Sequence, residues 1–447
     1  METLDGWIAR QYRHSANALL RSVSPVNIVK NRQGFAQTIV PQKGSIVASP
    51  VLGSYDPEPD YFFHWYRDAA VVVEALRVLF EDTDAARNTV VHFADFVRFS
   101  LSLQELDGRS LSESTEWRSA VALDFRKFLR SNEDLASVHG DAVSGETRVN
   151  PDGTLDISSW PRPQNDGPAL RALTLLRWLQ LVRSDTELSI AVNALLRADL
   201  RFTRAHWRES CFDIWEEEKG RHYYTLRVAA AALEGGAGWF AQQGDGPAAA
   251  ACRADAVQIL RMLDGYWRED LQFYRSRVLD GNATSAKELD ISVIMAALHS
   301  AGSGATHSVR DPRMHATLAR LETLFDAAYA INQARAANRA PAMGRYAQDV
   351  YFSGGAYYFS TLAAAEFCFR AAACDPSATG LPGSQALFDH GDAFLETVRA
   401  FSPPSGELSE QFDQRTGEQK SAQQLAWSYA AFITCVAARR EVIRSRA

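Results

Sequence analysis

The sequence predicts an all-α protein organised as one large helical domain, and three observations carry that prediction. Five long runs rich in Ala and Leu place their apolar residues three and four apart. The connections between them are long and polar, with Gly, Pro, Asp and aromatic residues. No low-complexity linker or change of composition interrupts the 447 residues, so the length, which leaves room for about three domains at roughly 150 residues each, reads as one domain spanning residues 1–447. In chain order the runs are RDAAVVVEALRVLFED (67–82), GPALRALTLLRWLQLVRS (167–184), TLRVAAAALEGGAGWFAQQ (225–243), FSTLAAAEFCFRAAAC (359–374) and QQLAWSYAAFITCVAARR (423–440). Several are apolar on more than one face, which predicts helices packed on both sides. The segments 40–66, 138–166, 340–356 and 401–421 exceed the roughly 12–15 residues beyond which a loop usually has a task.

Composition narrows the function classes. A net charge of −7 offers no basic footprint, so nucleic acid is not an expected partner. No run approaches the ~18 apolar residues of a membrane span, and METLDGWIARQYRHSANALL lacks an uninterrupted apolar core of the signal-peptide kind. Five dispersed cysteines fit a reduced, cytoplasmic chain better than a disulfide framework. The ten His are scattered and no metal-ligand spacing occurs, so no metal is expected. Gly236-Ala-Gly238-Trp-Phe-Ala241 matches a dinucleotide fingerprint, but it follows a helical run where the fingerprint needs a strand. It is read as a helix end with its glycine stop, and no cofactor is expected.

Carboxylates remain. In CFDIWEEEKG (211–220) three glutamates follow a tryptophan just ahead of a run of helix formers. They are either charges favoured at a helix start or the acid half of an active site. Acids beside aromatics in long loops suit a sugar site, since a sugar ring offers an apolar face to Trp and Tyr and hydroxyls to Asp, Arg and amides. Glycoside hydrolysis then needs two carboxyl groups. YFFHWYRD (61–68), SSWPRPQNDGPA (158–169), DIWEEEKG (213–220), GRYAQDVYFSGGAYY (344–358) and GELSEQFDQRTGE (406–418) combine these groups beside helix ends.

These segments, extended to PDYFFHWYRDAAVV, SWPRPQNDGPALRA, DIWEEEKGRHYYTLRVAAAALEGG, GRYAQDVYFSGGAYYFSTLAAAE and GELSEQFDQRTGEQKSAQQLAWSYAAFITC, resemble the successive blocks of the glucoamylases, glycoside hydrolase family 15, in the family's order. The likeness covers nearly the whole chain. It implies an (α/α)6 barrel, two concentric rings of helices with the active site in loops at one end, and an exo-acting, inverting α-glucohydrolase that releases β-glucose from α-1,4-gluco-oligosaccharides. The resemblance assigns the general acid to Glu216 and the general base, expected to stay ionised, to Glu410. It gives Arg67 and Asp68 the hydroxyls of the terminal glucose, with Trp65 beside them. A salt bridge anchoring the loop is the plainer role for that pair. Trp160 matches the loop tryptophan that closes over the sugar, and Arg345 with Asp349 matches a further binding segment. Trp215 is equally a packing residue, Glu217 a second ligand or a support, and Glu218 is expected to face solvent.

Departures from the family pattern touch specificity. Tyr357 stands where many members have Trp, changing an aromatic platform on the aglycone side, and Asn165 and Pro161 replace a basic residue and a glycine. An α-1,6 preference for isomaltose-type substrates is therefore an alternative, and a non-catalytic sugar-binding relative a more distant one. No starch-binding module is expected beside the catalytic domain, so small α-gluco-oligosaccharides are the expected substrates.

Overall fold

A computed structural model describes residues 2–53, 59–82, 87–114, 116–301, 304–374 and 381–446. Twelve long helices are present among them: α1 (Leu4–Arg21), α2 (Tyr66–Asp82), α3 (Arg87–Ser102), α4 (Asp166–Leu179), α5 (Thr186–His206), α6 (Tyr223–Gln242), α7 (Gly246–Asp264), α8 (Ser292–Ser300), α9 (Pro312–Ala328), α10 (Tyr358–Ala373), α11 (Ser384–Phe401) and α12 (Ala426–Arg446). The even-numbered helices touch in the order α2, α4, α6, α8, α10, α12 and back to α2, closing an inner ring. Each odd-numbered helix from α3 onward packs outside the inner helix that precedes it, and α1 covers α12. The architecture is an (α/α)6 barrel.

The two rings differ in sequence for a physical reason. An inner helix is covered on both sides, so it must be apolar nearly all round: every residue from Tyr223 to Leu233 in α6 and from Tyr358 to Phe369 in α10 is buried. An outer helix needs only one apolar stripe. In α1 the buried residues are Trp7, Ile8, Gln11, Tyr12, Ser15, Ala18 and Leu19, at helical spacing. Side chains cap four outer helices, with Thr3, Asp185, Asp245 and Asp311 accepting from N–H groups of α1, α5, α7 and α9.

Four of the six inner helices start differently. Their first N–H groups are taken by carbonyls of the long loops: Tyr66 by Thr147 (3.3 Å), Tyr223 by Ser276 (2.7 Å), Tyr358 by Glu410 (3.3 Å) and Ala426 by Ala48 (2.8 Å). Donors left over at a helix start must find partners, and here they strap the loops across one end of the barrel. Short antiparallel pairs complete the lacing. Trp65 lies opposite Arg148, Phe212 opposite Lys219, and Tyr357 opposite Gln411.

The five helices anticipated from periodicity are all present, with shifted ends. The run 167–184 stops at Leu179, and Asp185 caps the following helix instead. The reading of Gly236–Ala241 as a helix end is corrected: these residues lie inside α6, and the chain leaves the helix at Gln243 and Gly244. Gly236 serves packing, because a Cβ there would stand 2.7 Å from the Leu200 side chain of α5.

Candidate active site

Every residue singled out from the sequence lies at the end of the barrel where the inner helices begin. Trp65, Arg67 and Asp68 open α2, Trp160 precedes α4, and Trp215, Glu216 and Glu217 precede α6. Arg345, Asp349 and Tyr357 precede α10, and Glu410 precedes α12. Partial positive charge at these helix starts makes this the end that tolerates buried carboxylates.

The three glutamates do not open a helix. They occupy the turn of a hairpin between Cys211–Phe212 and Lys219–His222, and α6 begins only at Tyr223. Asp213 builds the turn: its Oδ1 accepts the N–H of Trp215 (3.2 Å) and Glu217 (2.9 Å), and its carbonyl accepts that of Glu216 (3.0 Å). Glu216 consequently has φ +64°, a left-handed conformation that costs a non-glycine residue on the order of 1 kcal/mol or more and recurs at functional sites.

The turn sends the three carboxylates to three places. Glu216 Oε1 accepts from Trp65 Nε1 (2.9 Å) and Arg67 Nη2 (3.1 Å), and Oε2 from Trp160 Nε1 (2.5 Å). Glu217 is held by Arg345 Nη2 (3.0 Å), the Tyr346 hydroxyl (2.5 Å) and Lys287 (2.6 Å). Glu218 does not face solvent as expected. It is drawn inward by the buried Arg277 guanidinium (2.8 Å) and the Ser285 hydroxyl (2.8 Å).

Glu410 lies across the same cavity, 7 % exposed. Its carboxylate accepts from the Tyr61 hydroxyl (3.2 Å) and from Ser421 Oγ, and Tyr61 in turn meets the Tyr351 hydroxyl (2.8 Å). Burial pushes Glu410 up to about 7, against the pull of Ser421, Arg345 and Tyr61.

Arg67 and Asp68 form an ion pair (3.1 Å), and a third carboxylate, Asp166, lies 3.9 Å from the guanidinium. Burial raises both Asp68 and Asp166 to about 6, with Arg67 opposing. Arg67 Nε and Nη1, Asp68 Oδ2 and both Asp166 oxygens have no hydrogen-bond partner among the described residues. Arg345 and Asp349 are doubly bonded to each other (2.6 and 2.7 Å).

Tyr357 departs from its anticipated role. It is fully buried, its hydroxyl donating to Asp349 (3.1 Å) and accepting from Gln411 (2.8 Å). A ring packed on all sides offers no platform to a sugar; it braces Asp349 instead. Trp215 is packed and borders the cavity at once. Its indole N–H donates to Asp290 (2.9 Å), and its ring stacks near Phe359 (6.0 Å) and Trp427 (6.4 Å) while bordering the cavity.

The cavity holds about 450 Å³, open mouth included, and is bordered by Tyr61, Trp65, Arg67, Asp68, Glu216 and Glu410 among others. A second space of about 830 Å³, open mouth included, extends toward the other end of the inner helices and shares Phe359 and Trp427 with the first. Its charges are already paired, Arg177 with Glu74 (3.1 Å) and Arg370 with Glu366 (2.7 Å). Glu216 and Glu410, together with Arg67 and its unpartnered Nε and Nη1, border the smaller cavity.

Glu216 and Glu410 thus line one cavity at one end of an (α/α)6 barrel. The sequence model described as glycosyl hydrolases family 15 matches residues 27–382 and 376–437. The chain belongs to glycosyl hydrolases family 15. Among its relatives in this family is a probable glucoamylase of Schizosaccharomyces pombe, 28% identical over 99% of this chain and 93% of that protein. A glucoamylase of Neurospora crassa is 29% identical over 90% of this chain and 64% of its own. In structure, the family 15 glucoamylase of Hypocrea jecorina superposes with a TM-score of 0.80 at 25% identity, covering 98% of this chain and 73% of that one.

Several site residues escaped the sequence reading. Tyr61, Ser421 and Trp427 lay inside quoted blocks, but nothing in the string marked them out from their neighbours. Asp213 carried a local signal, an Asp ahead of a Glu-rich turn. Arg148, Arg277 and Asp290 carried none, because their partners lie on other loops.

Proposed function

We propose that this family 15 hydrolase is an inverting exo-α-glucosidase that releases β-D-glucose from the non-reducing ends of α-1,4-gluco-oligosaccharides. Glu216 acts as general acid and Glu410 as general base. The observation that carries the reading is the pair of carboxyl groups facing one cavity in unlike surroundings: Glu216 under three N–H donors, Glu410 under two hydroxyls. The Glu216 proton passes to the glycosidic oxygen as the C–O bond breaks. Water, relieved of a proton by Glu410, attacks the anomeric carbon from the opposite face. A separation of ~6.5–9.5 Å between the two carboxyl groups would leave room for that water.

Arg67, Asp68, Arg345 and Asp349 supply the polar contacts of the terminal sugar, for which the unpartnered atoms of Arg67 and Asp68 are suited. A small, closely bordered cavity favours removal of one terminal unit over cleavage within a chain. Trp65 and Trp160 offer ring edges as well as their N–H groups, while Glu217 braces Arg345.

Proton NMR of the anomeric region during early hydrolysis of maltotriose and isomaltose tests the proposal. β-Glucose should appear first, and faster from maltotriose. α-Glucose appearing first would overturn both carboxylate roles, and faster hydrolysis of isomaltose would overturn the linkage.

A further inference from the structure

An indole N–H points in one direction only, so the ring's orientation decides whether Trp65 and Trp160 reach Glu216 at all. Trp160 sits in an irregular, partly exposed loop, outside the hydrophobic core clusters. What lies on its face is Arg148. The guanidinium carbon stands 3.7 Å from the centre of the Trp160 ring, 4.9 Å from that of Trp65 and 4.0 Å from Phe63. Arg148 is itself 4 % exposed and lies opposite Trp65 in the strand pair.

Ion pairs behind it leave Arg148 little freedom. Its Nε donates to Asp156 (2.9 Å) and its Nη2 to Ser158 (3.2 Å). Asp156 also accepts from Arg162 (3.1 Å), which donates to the Trp160 carbonyl (2.8 Å) and to Glu146 (2.8 Å), and Glu146 is anchored by Arg130 (2.8 Å). The paired arginines hold Asp156 ionised, well below the usual carboxylate range. This chain of charges touches no part of the cavity except through the two indoles.

We propose that Arg148 is a positioning residue for the general acid: lying against both indoles, it keeps the Trp65 and Trp160 N–H groups on Glu216. The inference rests on the reading of Glu216 as the acid. As Glu216 gives its proton to the departing oxygen, negative charge appears on the carboxylate. Donors already in place meet it without reorganisation. A planar guanidinium can lie flat on an aromatic face where an ammonium cannot.

The test compares maltose with α-glucosyl fluoride, whose fluoride leaves without being protonated. Arg148→Gln should lower kcat for maltose about 10- to 100-fold relative to kcat for the fluoride, in line with the loss of a preorganised donor, with KM changing less than kcat. Arg148→Lys, which preserves the charge on Asp156 without the flat stack, should show the same split. Equal losses on both substrates would reduce Arg148 to a structural support and overturn the proposal. So would an unchanged ratio in Arg148→Gln, or full recovery in Arg148→Lys. Glu216→Gln separates the underlying reading: it should lose maltose hydrolysis and keep fluoride hydrolysis. If it loses both equally, the acid role of Glu216 fails, and the role of Arg148 with it.

Discussion

Glu410 shows how a single side chain sets activity against stability. Its pKa, raised by burial from 4.5 to about 7, means that the folded protein binds a proton which the unfolded chain has already released between those values. Stability from this group is therefore complete below about pH 4.5 and is lost as pH rises toward 7. The difference amounts to about 3 kcal/mol at most. Asp68 and Asp166, raised from 3.8 to about 6, act in the same sense over a lower window. Glu410→Gln should abolish most turnover, by about 10²- to 10⁴-fold. It should also raise the melting temperature at pH 8 while leaving it unchanged at pH 4. Thermal melts at the two pH values check this. In the proposed role of base Glu410 must be ionised, so kcat/KM should fall as pH drops through about 7. The Ser421 hydroxyl favours the ionised form, so Ser421→Ala should move that limb upward, and a pH–rate profile of both proteins would show it.

At the scale of elements, the loops are held as firmly as the helices. The 345–355 segment lies folded against the residues that follow Glu410. Gln411 Nε2 donates to the Tyr351 carbonyl (3.1 Å), Ser353 Oγ to Gln411 (2.9 Å), and Gln414 to the Ser353 carbonyl (2.9 Å). Gly354 lets the chain turn there with φ +60°, and a Cβ would fall 2.0 Å from the Asp349 carbonyl. Gly354→Ala should cost at least the 1–3 kcal/mol or so of a forced left-handed residue. It should also displace Asp349 from Arg345, raising KM for maltose more than it lowers stability. A mutant with an unaltered KM would show that the pair is fixed by other contacts. The hairpin carrying Glu216 works similarly: one Asp213 carboxylate satisfies two turn N–H groups and pairs with Arg277 (2.6 Å). Strain at Glu216 is thus held by a neighbour three residues away.

For the whole molecule, closure of the ring is what brings the first and last loops together. Helix α1 covers α12, with Trp7 edge-on to Phe432 (5.5 Å, 89°) and Arg439 paired with Asp5 (2.9 Å). Trp7→Ala should cost about 3–5 kcal/mol by leaving a cavity in that seam. The melting temperature should fall, while kcat per folded molecule stays at the parent value, because Trp7 touches nothing in the site. Calorimetry with active-site titration separates the two. The rings were legible in the string because burial on one side or both writes itself into local periodicity: α6 and α10 read as apolar throughout. Glu216, Glu410 and the Arg67–Asp68 pair were legible through the family resemblance, since those blocks are contiguous. The buried state of Tyr357 was not, for nothing local says which face of a loop residue will be covered. Arg148 stayed hidden likewise, its meaning depending on Trp160, Asp156 and Trp65 arriving from separate turns.

The sequence by itself therefore determined the helices, their burial and the family, and it singled out the two glutamates that meet at one cavity, all of which depend on residues near one another in the chain. Only the tertiary structure decided what surrounds each carboxyl group. Six helix starts converge when the ring closes, and that convergence alone puts indoles and an arginine around Glu216 and hydroxyls around Glu410.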